Sequence, residues 1–113
     1  MIPYESWQAR TANADLLQRC KRAIRTVVPD ADVILYGSRA RGDATADSDY
    51  DLLVLVDRPA DVAVHEQLIS RISPLEGDGA VLTLAVYNRT LWNSRLYQAM
   101  PFHENVDREG VLL

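Results

Sequence analysis

The fold of this chain is decided by the stretch from Val33 to Val56, which reads VILYGSRARGDATADSDYDLLVLV. It contains two apolar runs, 33–36 and 52–56, and each has the length of a buried strand. Between the runs, Gly37 is followed by Ser38 and by mostly small or polar residues. We therefore expect a first strand that bends sharply at Gly37 and a second strand over 49–56.

Two carboxylates stand at the start of the second predicted strand. Asp49 and Asp51 are two residues apart, and the side chains of a strand alternate, so both should point to the same face. Their Cα atoms would lie about 7 Å apart, from a rise of about 3.3 Å per residue. Neighbouring anions repel unless a cation lies near them, and oxygen ligands favour Mg²⁺ or Mn²⁺. The spacing thus predicts a divalent metal site.

The turn at Gly37 offers a complementary site for phosphate. Glycine lets the backbone bend and lets a ligand come close, and Ser38 adds a hydroxyl. The residues that follow can begin a short helix, whose first N–H groups attract anions. Arg39 and Arg41 add positive charge nearby. A turn that holds phosphates beside a strand that holds a metal is typical of transfer from a nucleoside triphosphate.

The combined motif resembles a known family. Gly37-Ser38, then Gly42, then Ser48-Asp49-x-Asp51 are similar to the minimal nucleotidyltransferase domains of the DNA polymerase β-like superfamily. The resemblance covers nearly the whole chain. It implies that ATP is the substrate, that Mg²⁺ or Mn²⁺ is the cofactor, and that Asp49 and Asp51 are the catalytic metal ligands. It places the triphosphate at Gly37 and Ser38. The alternative interpretation is an acidic hairpin in an ordinary α/β domain.

Three further residues of the motif are candidates for nucleotide binding. Arg39 and Arg41 are suited to hold phosphate, although the family varies at these positions. Arg41 could equally pair with an acidic neighbour and brace the turn. Ser48 is a further predicted nucleotide-binding residue, and its hydroxyl can also brace the turn into the second strand.

The resemblance also implies a third carboxylate on a later strand, and this chain lacks it there. The strand expected over 80–87 contains no Asp or Glu, and Thr83 stands near the expected position. A neutral hydroxyl is a weaker metal ligand than a carboxylate. Asp57, Glu76 or Asp78 could reach in from a loop, but their spacing gives no sign of it.

Two functions from different classes follow. In the first, the protein is an enzyme that transfers a nucleoside monophosphate from ATP to a hydroxyl acceptor. Within the family, the resemblance implies a protein partner of the HEPN type as acceptor, in a toxin–antitoxin pair. In the second, the protein is a catalytically impaired binding module with the same fold, which acts by docking a partner protein.

Composition sets the outer limits of these hypotheses. The chain has 113 residues, which fits a single domain over 1–113. A net charge of −4 argues against broad binding to nucleic acid. Cys20 is the only cysteine, so we expect a buried thiol and a reducing, cytoplasmic setting. No apolar run reaches 18 residues, so we expect no membrane span.

Hydrophobic periodicity predicts alternating helices and strands. We expect helices over 5–28, 60–72 and from Asn88 or Thr90 to Met100, the last ended by Pro101. Strands are expected over 33–36, 49–56 and 80–87. This order predicts an α/β (α+β) fold with a mixed sheet and helices packed mainly on one side. The resemblance implies three to five strands.

The last helix and the tail are unusually rich in large apolar groups. Trp92, Tyr97, Phe102 and the end Val111-Leu112-Leu113 could form a surface that binds a partner or a second copy in a homo-oligomer. Packing into the core is the alternative for Trp92 and for the end of the chain.

Overall fold

The computed structural model describes residues 1–7, 14–77 and 79–113. The strands are β1 (Ile2–Pro3), β2 (Asp32–Tyr36), β3 (Tyr50–Val56), β4 (Leu82–Asn88) and β5 (Val111–Leu112). The helices are α1 (Ala14–Val27), α2 (Ser38–Arg41), α3 (Val62–Ile72), α4 (Arg89–Trp92), α5 (Arg95–Gln98) and α6 (Pro101–Glu109). Short 3₁₀ turns occur at Tyr4–Ser6 and Ser73–Leu75.

The strands form one mixed sheet in the order β1-β5-β2-β3-β4. β2 runs antiparallel to both β3 and β5, whereas β3 pairs with β4, and β1 with β5, in parallel. The mixed sheet and the α+β class are as the sequence predicts, with five strands at the upper end of the expected range. β1 and β5 were not expected individually, since two residues carry no periodic pattern.

Alternation along β3 sorts its side chains between two hydrophobic clusters. Leu52, Val54 and Val56 pack with Leu17 and Leu68 of the two long helices. On the opposite face, a smaller cluster joins β2 and β3 to the short helices that follow β4. Its buried members are Ile34, Leu53, Leu55, Trp92 and Val106. The two long helices, α1 and α3, thus pack on one face of the sheet, as predicted. The short helices α4 and α6 bury Trp92 and Val106 against the other face.

Two of the predicted helix boundaries are wrong. The first helix was expected from Glu5, but Glu5 lies in a 3₁₀ turn, Trp7 is extended, and residues 8–13 lie outside the described part of the chain. The helix expected to end at Met100 is instead two short helices, with Ser94 capping the second. Pro101 opens α6 instead of ending a helix, since proline is well suited to the first helical turn.

The C-terminal part contributes several side chains to the core. Trp92 is 2% exposed, and Val111 and Leu113 are also buried, so core packing rather than a free surface describes these three residues. Cys20 is buried as expected, and burial raises the pKa of its thiol to about 11. Among the described residues, no helix is both long enough and apolar enough to cross a membrane.

Candidate functional site

The turn after β2 brings Gly37 against Asp51. Gly37 has φ 79° and ψ −161°, a backbone region that is essentially restricted to glycine. A Cβ added there would lie only 2.5 Å from Asp51 Oδ2. The pairing of Tyr36 with Asp51 across β2 and β3 explains this closeness, since Gly37 directly follows Tyr36. The predicted phosphate turn and one predicted metal ligand are therefore neighbours.

Asp51 is held from its other side by Thr83. The two residues are register partners in the parallel pair of β3 and β4. The Thr83 hydroxyl donates a 2.6 Å hydrogen bond to Asp51 Oδ1. Burial, and secondly the charge of Asp51, raise the pKa of the half-buried Tyr36 phenol. Thus Tyr36, Asp51 and Thr83 form a row across three strands, and Thr83 stands beside the motif carboxylate.

Asp49 lies one residue before β3 and is exposed. Its side chain has no hydrogen bond or ion pair within the described part of the chain. In the same residues, no cluster of three or more His, Cys, Asp and Glu side chains could hold a metal ion. The shared face of Asp49 and Asp51, and their metal-binding role, remain predictions.

Arg39 points away from Asp51. Its guanidinium donates to the Ser48 carbonyl at 3.0 Å and 3.2 Å and lies 4.5 Å from the centre of the Tyr50 ring. Tyr50 belongs to the cluster of α1 and α3, on the opposite face of β3 from Asp51. A cavity of about 510 Å³ beside Arg39 and Tyr50 does not include Asp51. Phosphate binding by Arg39 remains a prediction, but its present contacts brace the loop.

Ser48 and Ser38 differ in their contacts. The Ser48 hydroxyl accepts a 2.9 Å hydrogen bond from the Thr45 N–H, which matches the bracing role predicted from the sequence. The Ser38 side chain has no hydrogen bond among the described residues. Nucleotide binding by either serine remains a prediction.

Arg41 forms two ion pairs, which corresponds to the bracing alternative. Its Nε lies 3.1 Å from Asp43 Oδ2, and its Nη1 lies 3.0 Å from Glu109 Oε2. The hydrogen bonds that Arg41 donates, first to Asp43 and then to Glu109, raise the pKa of its guanidinium. Glu109 Oε1 also accepts the Gly37 N–H at 3.1 Å. Sequence analysis did not identify Glu109, since 72 residues separate it from Gly37 and no local pattern connects them.

None of the described loop acids takes the place of the third carboxylate beside Asp51. Asp57 lies beyond the far end of β3 and pairs with Arg89. Glu76 accepts a 2.9 Å hydrogen bond from the Leu82 N–H. Asp78 lies outside the described residues. Thr83 is thus the nearest polar partner that the structure gives to Asp51.

Comparisons with known proteins identify the family of this chain. Residues 17–101 match the family model of the nucleotidyltransferase domain. A protein of Methanocaldococcus jannaschii, named as a candidate protein adenylyltransferase, is 36% identical over 81 residues, which cover 72% of this chain and 75% of that protein. A candidate nucleotidyltransferase of Sulfolobus solfataricus, known from a crystal structure, has a TM-score of 0.48 and 19% identity, and the match covers 87% of this chain and 76% of that one. By its family match and by its archaeal relative, this chain belongs to the nucleotidyltransferase domain family.

Proposed function

We propose that the protein binds ATP with Mg²⁺ and transfers the nucleoside monophosphate to a hydroxyl group of another protein. The observation that carries this proposal is the contact between the Gly37 turn and Asp51, where a Cβ would lie 2.5 Å from Oδ2. Membership of the nucleotidyltransferase family supports nucleotide transfer. The name of the Methanocaldococcus relative supports a protein as acceptor.

The residues present fit a magnesium ion shared with substrate. Asp51 and the exposed Asp49 offer carboxylate oxygens, the ligands that Mg²⁺ prefers. Mg²⁺ keeps several waters and is commonly bound by one or two carboxylates together with phosphates. When bound, the ion would neutralise charge that develops on the phosphates. Ser38 and the N–H groups after Gly37 would orient the triphosphate.

The proposed reaction makes and breaks one bond to phosphorus. The acceptor oxygen forms a bond to the α-phosphorus. The bond between the α-phosphorus and the oxygen that bridges to the β-phosphate breaks, and pyrophosphate leaves with that electron pair. The acceptor hydroxyl must lose its proton to a base. Thr83 cannot serve as this base efficiently, because its side chain is a neutral hydroxyl already bonded to Asp51.

That hydrogen bond favours a second candidate function. With a threonine beside Asp51 in place of an acid, a second metal would have fewer charged ligands and the acceptor would have no carboxylate base there. The protein would then be a nucleotide-binding or docking module with impaired catalysis. In either case, we propose a helical HEPN-type protein, as in a toxin–antitoxin pair, as the partner to test first.

The deciding experiment measures binding and transfer together. The protein is titrated with Mg-ATP by calorimetry, then incubated with α-labelled ATP, Mg²⁺ and the product of the neighbouring gene. With the wild type, we expect the label to appear on the partner protein. In Asp49→Asn and Asp51→Asn, we expect weaker Mg-ATP binding and a transfer rate that is lower by about a hundredfold or more.

Asp47→Asn is the matched control, since it removes a charge from the same exposed loop outside the motif. It should bind and transfer as the wild type does. Binding without any transfer would favour the docking module. Mg-ATP binding that is unchanged in both Asp49→Asn and Asp51→Asn would refute the metal assignment.

A further inference from the structure

Among the residues that the structure describes, Glu109 is the one carboxylate that binds both ends of the segment from Gly37 to Arg41. It is the last residue of α6, and its side chain is only 12% exposed. Oε1 accepts the Gly37 N–H, and Oε2 accepts from Arg41 Nη1. A carboxylate in this position fixes the start and the end of α2 relative to each other.

The hydrogen bonds of Glu109 matter for the site because Gly37 has an unusual backbone conformation. Backbone in that region costs of order 1–3 kcal/mol and persists only where surrounding contacts enforce it. The pairing of β2 with β3 enforces it on one side of Gly37. On the other side, residues 37–41 are held from outside the segment by hydrogen bonds and one ring contact. Among the described residues, the partners are Trp7, Gly42, Asp43, Ala46, Ser48, Tyr50 and Glu109. Of these, only Glu109 binds the backbone N–H of Gly37.

The charge of Glu109 is also compensated in place. A lone carboxylate beside a triphosphate site would repel the substrate. Arg41 Nη1 lies 3.0 Å from Glu109 Oε2 and offsets the charge of the carboxylate. Glu109 therefore need not repel an anionic ligand. The hydrogen bond to Glu109 uses the Gly37 N–H itself, and the N–H groups of Ala40 and Arg41 donate to the Gly37 carbonyl. The N–H groups of Ser38 and Arg39 are those that would face a phosphate.

We propose that Glu109 is a positioning residue of the nucleotide site, holding the Gly37 turn against Asp51 in the conformation that receives the triphosphate. This inference rests on the proposed function. It also gives α6 a direct link to the site, because the same helix packs Phe102 against Tyr36, 5.2 Å between ring centres, next to Asp51.

Two variants of Glu109 separate its contacts. Glu109→Gln keeps an oxygen for the Gly37 N–H but loses the charge that pairs with Arg41. Glu109→Ala removes both. Glu104→Ala is the matched control, since Glu104 is exposed on the same helix. The chemical shift and the hydrogen-exchange rate of the Gly37 amide are measured by NMR without nucleotide. The affinity for Mg-ATP is measured separately.

In Glu109→Ala, the Gly37 amide should shift and lose protection, and the Kd for Mg-ATP should rise about tenfold or more. Glu109→Gln should partly restore both, and Glu104→Ala should match the wild type. If Glu109→Ala does not fold, Glu109→Gln must still shift the Gly37 amide and weaken binding.

The proposal is overturned by an unchanged Gly37 amide in the folded Glu109 variants. It is also overturned if the amide shifts while Mg-ATP affinity stays that of Glu104→Ala. A wild type that binds no Mg-ATP would refute the proposed function and the nucleotide role of Glu109. The amide measurement would still decide whether Glu109 holds the turn, so the two failures can be told apart.

Discussion

At the residue scale, Gly37 is a position where a single added methyl group should be costly. Gly37→Ala would place Cβ 2.5 Å from Asp51 Oδ2, in a backbone conformation that strains any L side chain. We expect it to lower the free energy of unfolding by several kcal/mol, roughly the sum of backbone strain and overpacking. Urea denaturation measures the loss.

Gly79→Ala provides the control for backbone strain alone. Gly79 also has a positive φ, +82°, but none of the described residues has an atom within 4 Å of the Cβ position. Its cost should be limited to about 1–2 kcal/mol. Equal losses in the two variants would show that the approach of Asp51 to Gly37 is not a tight contact in solution.

Thr83 is the second residue at which one substitution tests the site. Thr83→Asp would add a carboxylate beside Asp51, where Thr83 Oγ1 now lies 2.6 Å from Oδ1. We expect a lower melting temperature without metal, from repulsion of neighbouring carboxylates, and a gain in stability with Mg²⁺. Nucleotide transfer to the partner should rise about tenfold or more, if the added acid supports the ion or the acceptor.

Thr83→Val is the control for this change, because it keeps the shape of the side chain and loses the hydroxyl. It should show neither the Mg²⁺-dependent stabilisation nor the gain in transfer. Identical rates in the wild type, Thr83→Asp and Thr83→Val would mean that position 83 has no part in the reaction.

At the scale of elements, β4 is an edge strand whose exposed side is partly covered by side chains. Its seven residues contain no proline and no charge, the features that usually protect an edge. Instead, Glu76 accepts the Leu82 N–H, and His65 Nε2 lies 3.1 Å from the Leu84 carbonyl oxygen. These two contacts occupy backbone groups that could otherwise pair with another strand.

We therefore predict that Glu76→Ala increases self-association. Light scattering over a range of protein concentrations should give a higher average mass than for the wild type. Glu66→Ala, which removes an exposed charge from α3, is the control and should leave the mass unchanged. The same mass for both variants would show that the Glu76 contact does not protect the edge.

At the scale of the whole molecule, the sequence predicts what depends on local pattern. The apolar runs of β2, β3 and β4 are visible in the sequence, and strand boundaries differ by one or two residues from those expected. The closeness of the glycine turn to the Asp-x-Asp strand also follows, because the two strands are consecutive and antiparallel.

What could not be predicted depends on distant contacts. The two-residue strands are defined by distant pairings, β1 with β5 and β5 with both β1 and β2. The bond from Gly37 to Glu109 joins two distant parts of the chain. Arg39 could not be placed from composition alone, since its direction depends on Ser48 and on the face to which Tyr50 belongs.

The place of β5 in the sheet has a consequence for the order of folding. β5 lies between β1 and β2, yet it consists of Val111 and Leu112. β2 and β3 are near each other in sequence, whereas the pairing of Ile2 with Val111 closes a loop that spans most of the chain. Long loops lose more conformational entropy when they close, so β1 and β5 should join the sheet after β2 and β3 have paired. Glu109 should reach the Gly37 turn at the same late stage, because 72 residues separate the two.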